Sequence, residues 1–217
     1  MRNAWAIVAA LLLCAGCLRP HPTEKPESAR DYFNRGIERS AKGDYHNAID
    51  DFTRALDFEP TYLDAFLQRG RARLQIGNYA SAIDDFTKSL VVRPDCADAY
   101  DGRAEGHRLR REFVDAEADV TRAIGLQPKR TMYYFHRGVI NHDAKRHTEA
   151  LHDYNRAILF DGKQTDFYLK RGQCHFDMTD FRKAAEDWKI ACKIDHRLEE
   201  KYLPMIRMAE SRLPPNQ

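Results

Sequence analysis

The chain repeats itself every 34 residues from Ala29 onward, and a period of that length restricts the fold more than composition can. Position 8 of successive repeats is Gly36, Gly70, Ala104, Gly138 and Gly172, small in every case. Position 20 is Ala48, Ala82, Ala116, Ala150 and Ala184, and position 27 is Ala55, Ser89, Ala123, Ala157 and Ala191. Large side chains stand between them, with Tyr32, Phe66, Tyr100, Tyr134 and Tyr168 at position 4 and Phe52, Phe86, Val120, Tyr154 and Trp188 at position 24. Pro60, Pro94 and Pro128 close the first three repeats, where Gly162 and His196 stand in the last two. Small residues facing large ones predict two helices per repeat that approach closely and fill the space beside the contact. Gly43-Asp44, Gly77-Asn78 and Thr179-Asp180 each offer a turn former and then an N-cap before the second helix. Apolar residues at positions 21, 28 and 30, such as Ile49, Leu56 and Phe58 or Ile83, Leu90 and Val92, exceed what one hairpin buries and are expected to pack on the next repeat.

From Ala29 to Asp195 this pattern closely resembles the tetratricopeptide repeat. The resemblance implies an all-α fold, a right-handed α-solenoid of five helix-turn-helix repeats at 29–62, 63–96, 97–130, 131–164 and 165–197. It also implies a scaffold that binds another protein or peptide segment along a concave groove, without enzymatic activity or cofactor. Residues 198–213 carry an apolar face of Tyr202, Met205, Ile206, Ala209 and Leu213 and predict a capping helix. Pro204 must either kink that helix or begin it. The closing Pro214-Pro215-Asn216-Gln217 is expected to fray.

Two polar positions recur in all five repeats. Arg35, Arg69, Arg103, Arg137 and Arg171 are each followed 16 residues later by Asp51, Asp85, Asp119, Asp153 and Asp187. A structural ladder, within or between hairpins, is the expected use, and recognition of a ligand carboxylate is the alternative. In the resemblance the groove is lined by positions 2, 5, 9 and 12 of each first helix, beside a core stripe at positions 4, 8 and 11. The lining candidates are Phe33 and Ile37, then Leu67, Arg71 and Leu74, then Asp101, Glu105 and Arg108, then Met132, Phe135 and Val139, and finally Leu169 and Phe176. Apolar ends with a charged middle suggest a contact site, unless those side chains merely touch the adjacent first helix. The lysine and asparagine set with which chaperone-binding members clamp a C-terminal carboxylate is missing, because Phe33, Ile37, Gln68, Asp98 and Gly102 occupy its positions.

Four histidines, His136, His142, His147 and His152, crowd the fourth repeat beside Asp143. Their spacing of five or six residues does not match helical metal ligands at three or four, so a solvated surface and no metal is expected. Cys174 and Cys192 fall at core positions whose heights on the hairpin put them beyond disulfide reach, and Cys96 has no evident partner. No nucleophile elbow, zinc-protease helix or phosphate loop is present.

The N-terminus is of another kind. Arg2 precedes an uncharged apolar run from Ala4 to Leu18, too short to span a bilayer and ending in small residues, as an export signal over 1–16 does. Leu13-Cys14-Ala15-Gly16-Cys17 resembles the lipobox of bacterial lipoproteins, which implies lipidation at Cys17, although Cys14 replaces the usual leucine. An ordinary secretory signal and an uncleaved anchor are the other readings. Leu18, where aspartate would signal inner-membrane retention, implies an outer-membrane location facing the periplasm. Residues 17–28, rich in proline, form a tether. Lysine plus arginine number 35 against 33 acidic residues, so no field favours nucleic acid.

Overall fold

Each repeat becomes a pair of helices because a position-8 residue without a side chain lets the second helix set its large position-24 ring against the first. A methyl added at Gly36 would come within 2.6 Å of the Phe52 ring, and Gly70, Gly138 and Gly172 are as tightly covered by Phe86, Tyr154 and Trp188. In the third repeat the exchange runs the other way. Ala104 replaces glycine, and the opposing Val120 is smaller, so both are buried in one cluster without a clash.

The computed structural model describes residues 28–213. The first pair is α1 (Ala29–Ala41) and α2 (Tyr45–Phe58), followed by α3 (Leu63–Gln75) with α4 (Tyr79–Val92), and α5 (Ala97–Leu109) with α6 (Phe113–Leu126). Then come α7 (Thr131–Asp143) with α8 (His147–Phe160), and α9 (Thr165–Asp177) with α10 (Phe181–Ile194). A 3-10 turn at His196–Leu198 leads into the last helix, α11 (Glu199–Ser211). The signal, Cys17 and all of the tether but Ser28 lie outside the described residues.

Each second helix also packs on the first helix of the next repeat, and the odd-numbered helices from α1 to α9 touch one another in order. The even-numbered helices do not pair comparably among the described residues. Closer approach on one side bends the stack, with the odd-numbered helices on its inner, concave surface. Stability in such an array is a sum over hairpins and their interfaces. Leu56 is buried at such an interface. Position 30 departs from expectation, since Phe58, Val92, Phe160 and Ile194 remain exposed. Phe58 and Phe160 instead lean on the position-4 rings of their own repeats, Tyr32 and Tyr134, at 5.5 Å between centroids.

All five intra-repeat turns use a left-handed residue at position 15, with φ of 78° at Gly43, 77° at Gly77, 64° at Arg111, 65° at Lys145 and 63° at Thr179. Only the first two are glycine, so the last three turns carry strain. Asn78 and Asp180 cap the following helices by accepting from Ser81 N and Lys183 N at 3.3 Å. Asp44 does not cap α2, because the Asn47 side-chain amide takes both of its oxygens at 2.9 and 2.8 Å.

The capping helix begins at Glu199 and runs through Pro204, so the proline does not start it. Only the carbonyl of Glu200, in the exposed first turn, loses its donor. Ile206 and Ala209 are buried against α10, with Tyr202 and Met205 packed beside them.

A β-branched residue is the least suited to the left-handed turn, so Thr179→Gly is expected to stabilise the protein by about 1 kcal/mol. Urea unfolding followed by circular dichroism checks this, and Gly77→Ala should shift the midpoint the other way.

Candidate functional site

The groove is framed by a buried polar row. Asp51, Asp85, Asp119, Asp153 and Asp187 are each less than a tenth exposed, and each accepts two hydrogen bonds from the arginine 16 residues earlier in its own hairpin. Arg103 is representative, donating Nε to Asp119 Oδ2 at 2.7 Å and Nη2 to Oδ1 at 2.8 Å. The third guanidinium nitrogen reaches back one repeat, from Arg69 to Thr53 at 3.0 Å, from Arg103 to Thr87 at 3.3 Å and from Arg171 to Asn155 at 2.6 Å. The ladder is therefore intra-hairpin through the aspartate and inter-hairpin through position 25.

Position 11, read from sequence as core, is polar and completes this row. Arg39 and Arg73 give Asp51 and Asp85 a further bond at 2.7 Å, and Asn141 gives Asp153 one at 3.3 Å.

A second set of bonds crosses between neighbouring odd-numbered helices, always between residues 35 apart. Tyr133 Oη donates to Asp98 at 3.0 Å, His136 Nδ1 lies 2.7 Å from Asp101, and His142 Nε2 lies 2.9 Å from Asp177. Arg108 donates to Asp143 across the repeats and to both oxygens of Glu105 at 2.7 Å, and these bonds raise its pKa. Much of the charge in the middle of the groove is thus spent on joining repeats.

What remains open is a cavity of about 440 Å³ on the concave face, bounded by α3, α5, α7 and α9. Leu74, Phe135 and Val139 give it apolar surface; Asp101, Glu105, Arg108, His136 and Asp143 give it charged and polar walls. Arg71 and Lys170 also line it, are exposed, and have no ion-pair partner among the described residues. The tetratricopeptide-repeat sequence profile matches residues 33–95, 67–130 and 102–167.

The chain belongs to the tetratricopeptide repeat (TPR) family.

Solved TPR structures share its fold. MamA of Desulfovibrio magneticus is 17% identical with a TM-score of 0.68, covering 79% of this chain and 97% of its own. A thermophilic TPR protein of Thermus thermophilus is 15% identical with a TM-score of 0.71, covering 84% of this chain and 99% of its own. YrrB, described as a TPR protein with an unusual peptide-binding site, is 20% identical with a TM-score of 0.61, covering 88% and 95%. Comparison with curated protein sequences finds no match.

Of the residues expected to line the TPR groove, Arg71, Leu74, Asp101, Glu105, Arg108, Phe135 and Val139 meet around the cavity. Ile37 and Met132 are exposed, at 37% and 38%, and lie outside it. Phe33 is held in the first hairpin by rings of Phe52 and Tyr62, while Leu67 is 7% exposed and packed in the core of the second. Leu169 and Phe176 pack against the Trp188 cluster beside the cap. Four lining residues were missed: Gly102, His136 and Lys170, all at position 6 beside the stripe at 2, 5, 9 and 12, and Asp143 at position 13. The signal was available, since position 6 belongs to the carboxylate-clamp pattern that Gln68 and Gly102 interrupt.

The histidines are not uniformly solvated. His152 is, with 69% of its side chain exposed. His142, 13% exposed, and half-buried His147 instead meet Cys174, and the two imidazole rings lie 5.3 Å apart between centroids, tilted by 58°. Cys96, Cys174 and Cys192 are free thiols, all buried.

Burial alone would lower the pKa of His136, but its hydrogen bond to Asp101 and the charges of Asp101 and Glu105 outweigh burial and raise it. A raised folded-state pKa adds stability that is fully present below the ordinary value near 6.5 and is lost as pH rises through the folded value. The difference in urea midpoint between wild type and His136→Gln should therefore be largest near pH 5.5 and shrink towards pH 8.5. Equal differences at both ends would show that the imidazolium contributes nothing.

Proposed function

We propose that this TPR protein is a non-enzymatic, lipid-anchored scaffold of a bacterial cell envelope, holding an extended segment of another protein in its concave groove. The observation that carries the reading is the cavity, with an apolar floor of Leu74, Phe135 and Val139 beneath two exposed cations, Arg71 and Lys170, on different helices. Such a surface suits a segment that inserts an apolar side chain and presents carboxylates on either side. Arg108 and His136 are already engaged by the wall carboxylates, so Arg71 and Lys170 are the cations of the site left to pair with a partner, and they favour a segment that carries carboxylates. The peptide-binding site named for YrrB is consistent with a groove of this type serving a peptide.

Anchoring rests on the sequence pattern at Cys17, and the outer-membrane, periplasm-facing location on Leu18. No helix among the described residues is long and apolar enough to cross a membrane.

A second reading, self-assembly, is favoured by the C-terminal end. A capping face should be polar, yet Ile190, Ile194, Leu203 and Met208 are between 38% and 47% exposed there. A monomer in light scattering removes that reading.

Photo-crosslinking from Val139 in intact cells tests the groove. One discrete adduct is expected, absent from the outer-surface position Val91, which is 79% exposed. The combined Arg71→Glu and Lys170→Glu change should weaken the adduct at least tenfold while leaving the fold intact by circular dichroism. Equal capture at both positions would contradict a specific groove, and a Cys17→Ser chain that stays in the membrane fraction would contradict the lipid anchor.

A further inference from the structure

Two imidazoles and a thiol meet where the fourth repeat joins the fifth. His142 is the last residue but one of α7, His147 opens α8, and Cys174 lies on α9. One ligand atom of each lies within 4.8 Å of those of the other two. The Cys174 sulfur is 3.7 Å from His147 Nδ1, close to the edge of a tetrahedron whose corners sit about 2.0–2.3 Å from a central zinc ion. The ligand atom of His142 lies within 4.8 Å of both.

The backbone holds the two histidines in place. Lys145 takes the left-handed conformation, its N–H donates to the His142 carbonyl at 2.9 Å, and Arg146 N–H donates to that of Asn141 at 2.8 Å. The spacing of five residues, unsuited to one continuous helix, becomes suitable because a turn lies between the two rings.

Two further side chains point to a ligand. Asp177, one turn beyond Cys174 on α9, places Oδ2 2.9 Å from His142 Nε2 and is itself steadied by Gln173 at 2.7 Å. A carboxylate on one imidazole nitrogen fixes the ring and leaves the other nitrogen free for a metal. Tyr154 is 0% exposed, and its hydroxyl has no hydrogen-bond partner. An unmet buried hydroxyl costs about 1–3 kcal/mol, and packing does not require it, since the same place holds Phe52, Phe86, Val120 and Trp188 in the other repeats. Tyr154 follows His147 by seven residues on the same face of α8, and helical side chains lean towards the N-terminus, so the hydroxyl is directed towards the cluster. Cys174 is the neighbouring titratable group that acts on it most strongly.

We propose that His142, His147 and Cys174 bind a thiophilic divalent cation of the zinc class, with Asp177 orienting His142 and the Tyr154 hydroxyl donating to the thiolate or to a metal-bound water. Binding breaks the Cys174 S–H bond and forms a metal–sulfur bond; the proton passes to solvent, both imidazoles bind in the neutral form, and no oxidation state changes. Burial pushes the free thiol up to about 12, so the cation itself must drive the proton off. The ion would tie α7 and α8 to α9 and so couple the last repeat to the rest of the array.

The test is titration of the full chain, reduced and freed of metal by a chelator, with Co²⁺ and then Zn²⁺. One equivalent of Co²⁺ is expected to give sulfur-to-cobalt charge-transfer absorption, which Zn²⁺ abolishes, and Zn²⁺ is expected to raise the thermal midpoint. Cys174→Ala should abolish the absorption; alanine is the natural residue at the same place in the second repeat, where Ala72 is 2% exposed. His142→Gln and His147→Gln, which leave the thiol in the core, should each abolish stoichiometric binding, and Asp177→Asn should weaken it about 10–100-fold. Cys17→Ser, Cys192→Ala and His152→Ala should bind as the parent does. Absence of a thiolate band at one equivalent, or binding unchanged in either glutamine variant, overturns the proposal.

Discussion

The bond between the position-7 arginine and the position-23 aspartate is the interaction on which the array depends. It places a carboxylate inside the hairpin, where an unpaired charge would be strongly destabilising. Only one register of the two helices supplies both guanidinium bonds to it. The arginine is fixed from three sides, since its guanidinium also lies 5.2–6.0 Å from the position-4 ring of its own helix in every repeat and, beyond the first, reaches position 25 of the repeat before. Desolvation offsets much of the attraction, so the row contributes more to register than to net stability. Stability comes from the small-against-large contacts, such as Gly36 beneath Phe52, that the register brings together.

The same repetition decides what the concave face can offer a partner. Bonds between residues 35 apart, from Asp98 to Tyr133, Asp101 to His136 and Arg108 to Asp143, use the central charges to join adjacent first helices. A groove that looks densely charged in sequence therefore has most of its wall charges already engaged by one another. Its selectivity falls to the few groups left over, Arg71 and Lys170, and to the apolar floor between them.

The parts legible in the sequence were those that the repeat states five times. Glycine or alanine at position 8, the large residue at 24 and the Arg–Asp pair each occur once per repeat, so chance agreement is small and the all-helical array follows. Features that occur once were not legible. His142, His147 and Cys174 are brought together by a turn and by the stacking of two repeats, and helix periodicity does not describe either. Position 11 was misread because Arg39, Arg73 and Asn141 sit on the inward stripe but are held there by the buried aspartates. Position 30, read as packing on the next repeat because it is apolar, instead sets Phe58 and Phe160 against the position-4 rings of their own repeats.

The most direct measurement of the central claim is a double-mutant cycle on Arg103 and Asp119 in the middle repeat, using Arg103→Ala, Asp119→Ala and the double change in equilibrium unfolding. If the pair sets the register, Asp119→Ala destabilises, Arg103→Ala costs more because it leaves the carboxylate unpaired, and the coupling between them exceeds about 1 kcal/mol. Additivity to within about 0.5 kcal/mol would contradict it, leaving the pairs as bystanders to an array held by packing alone.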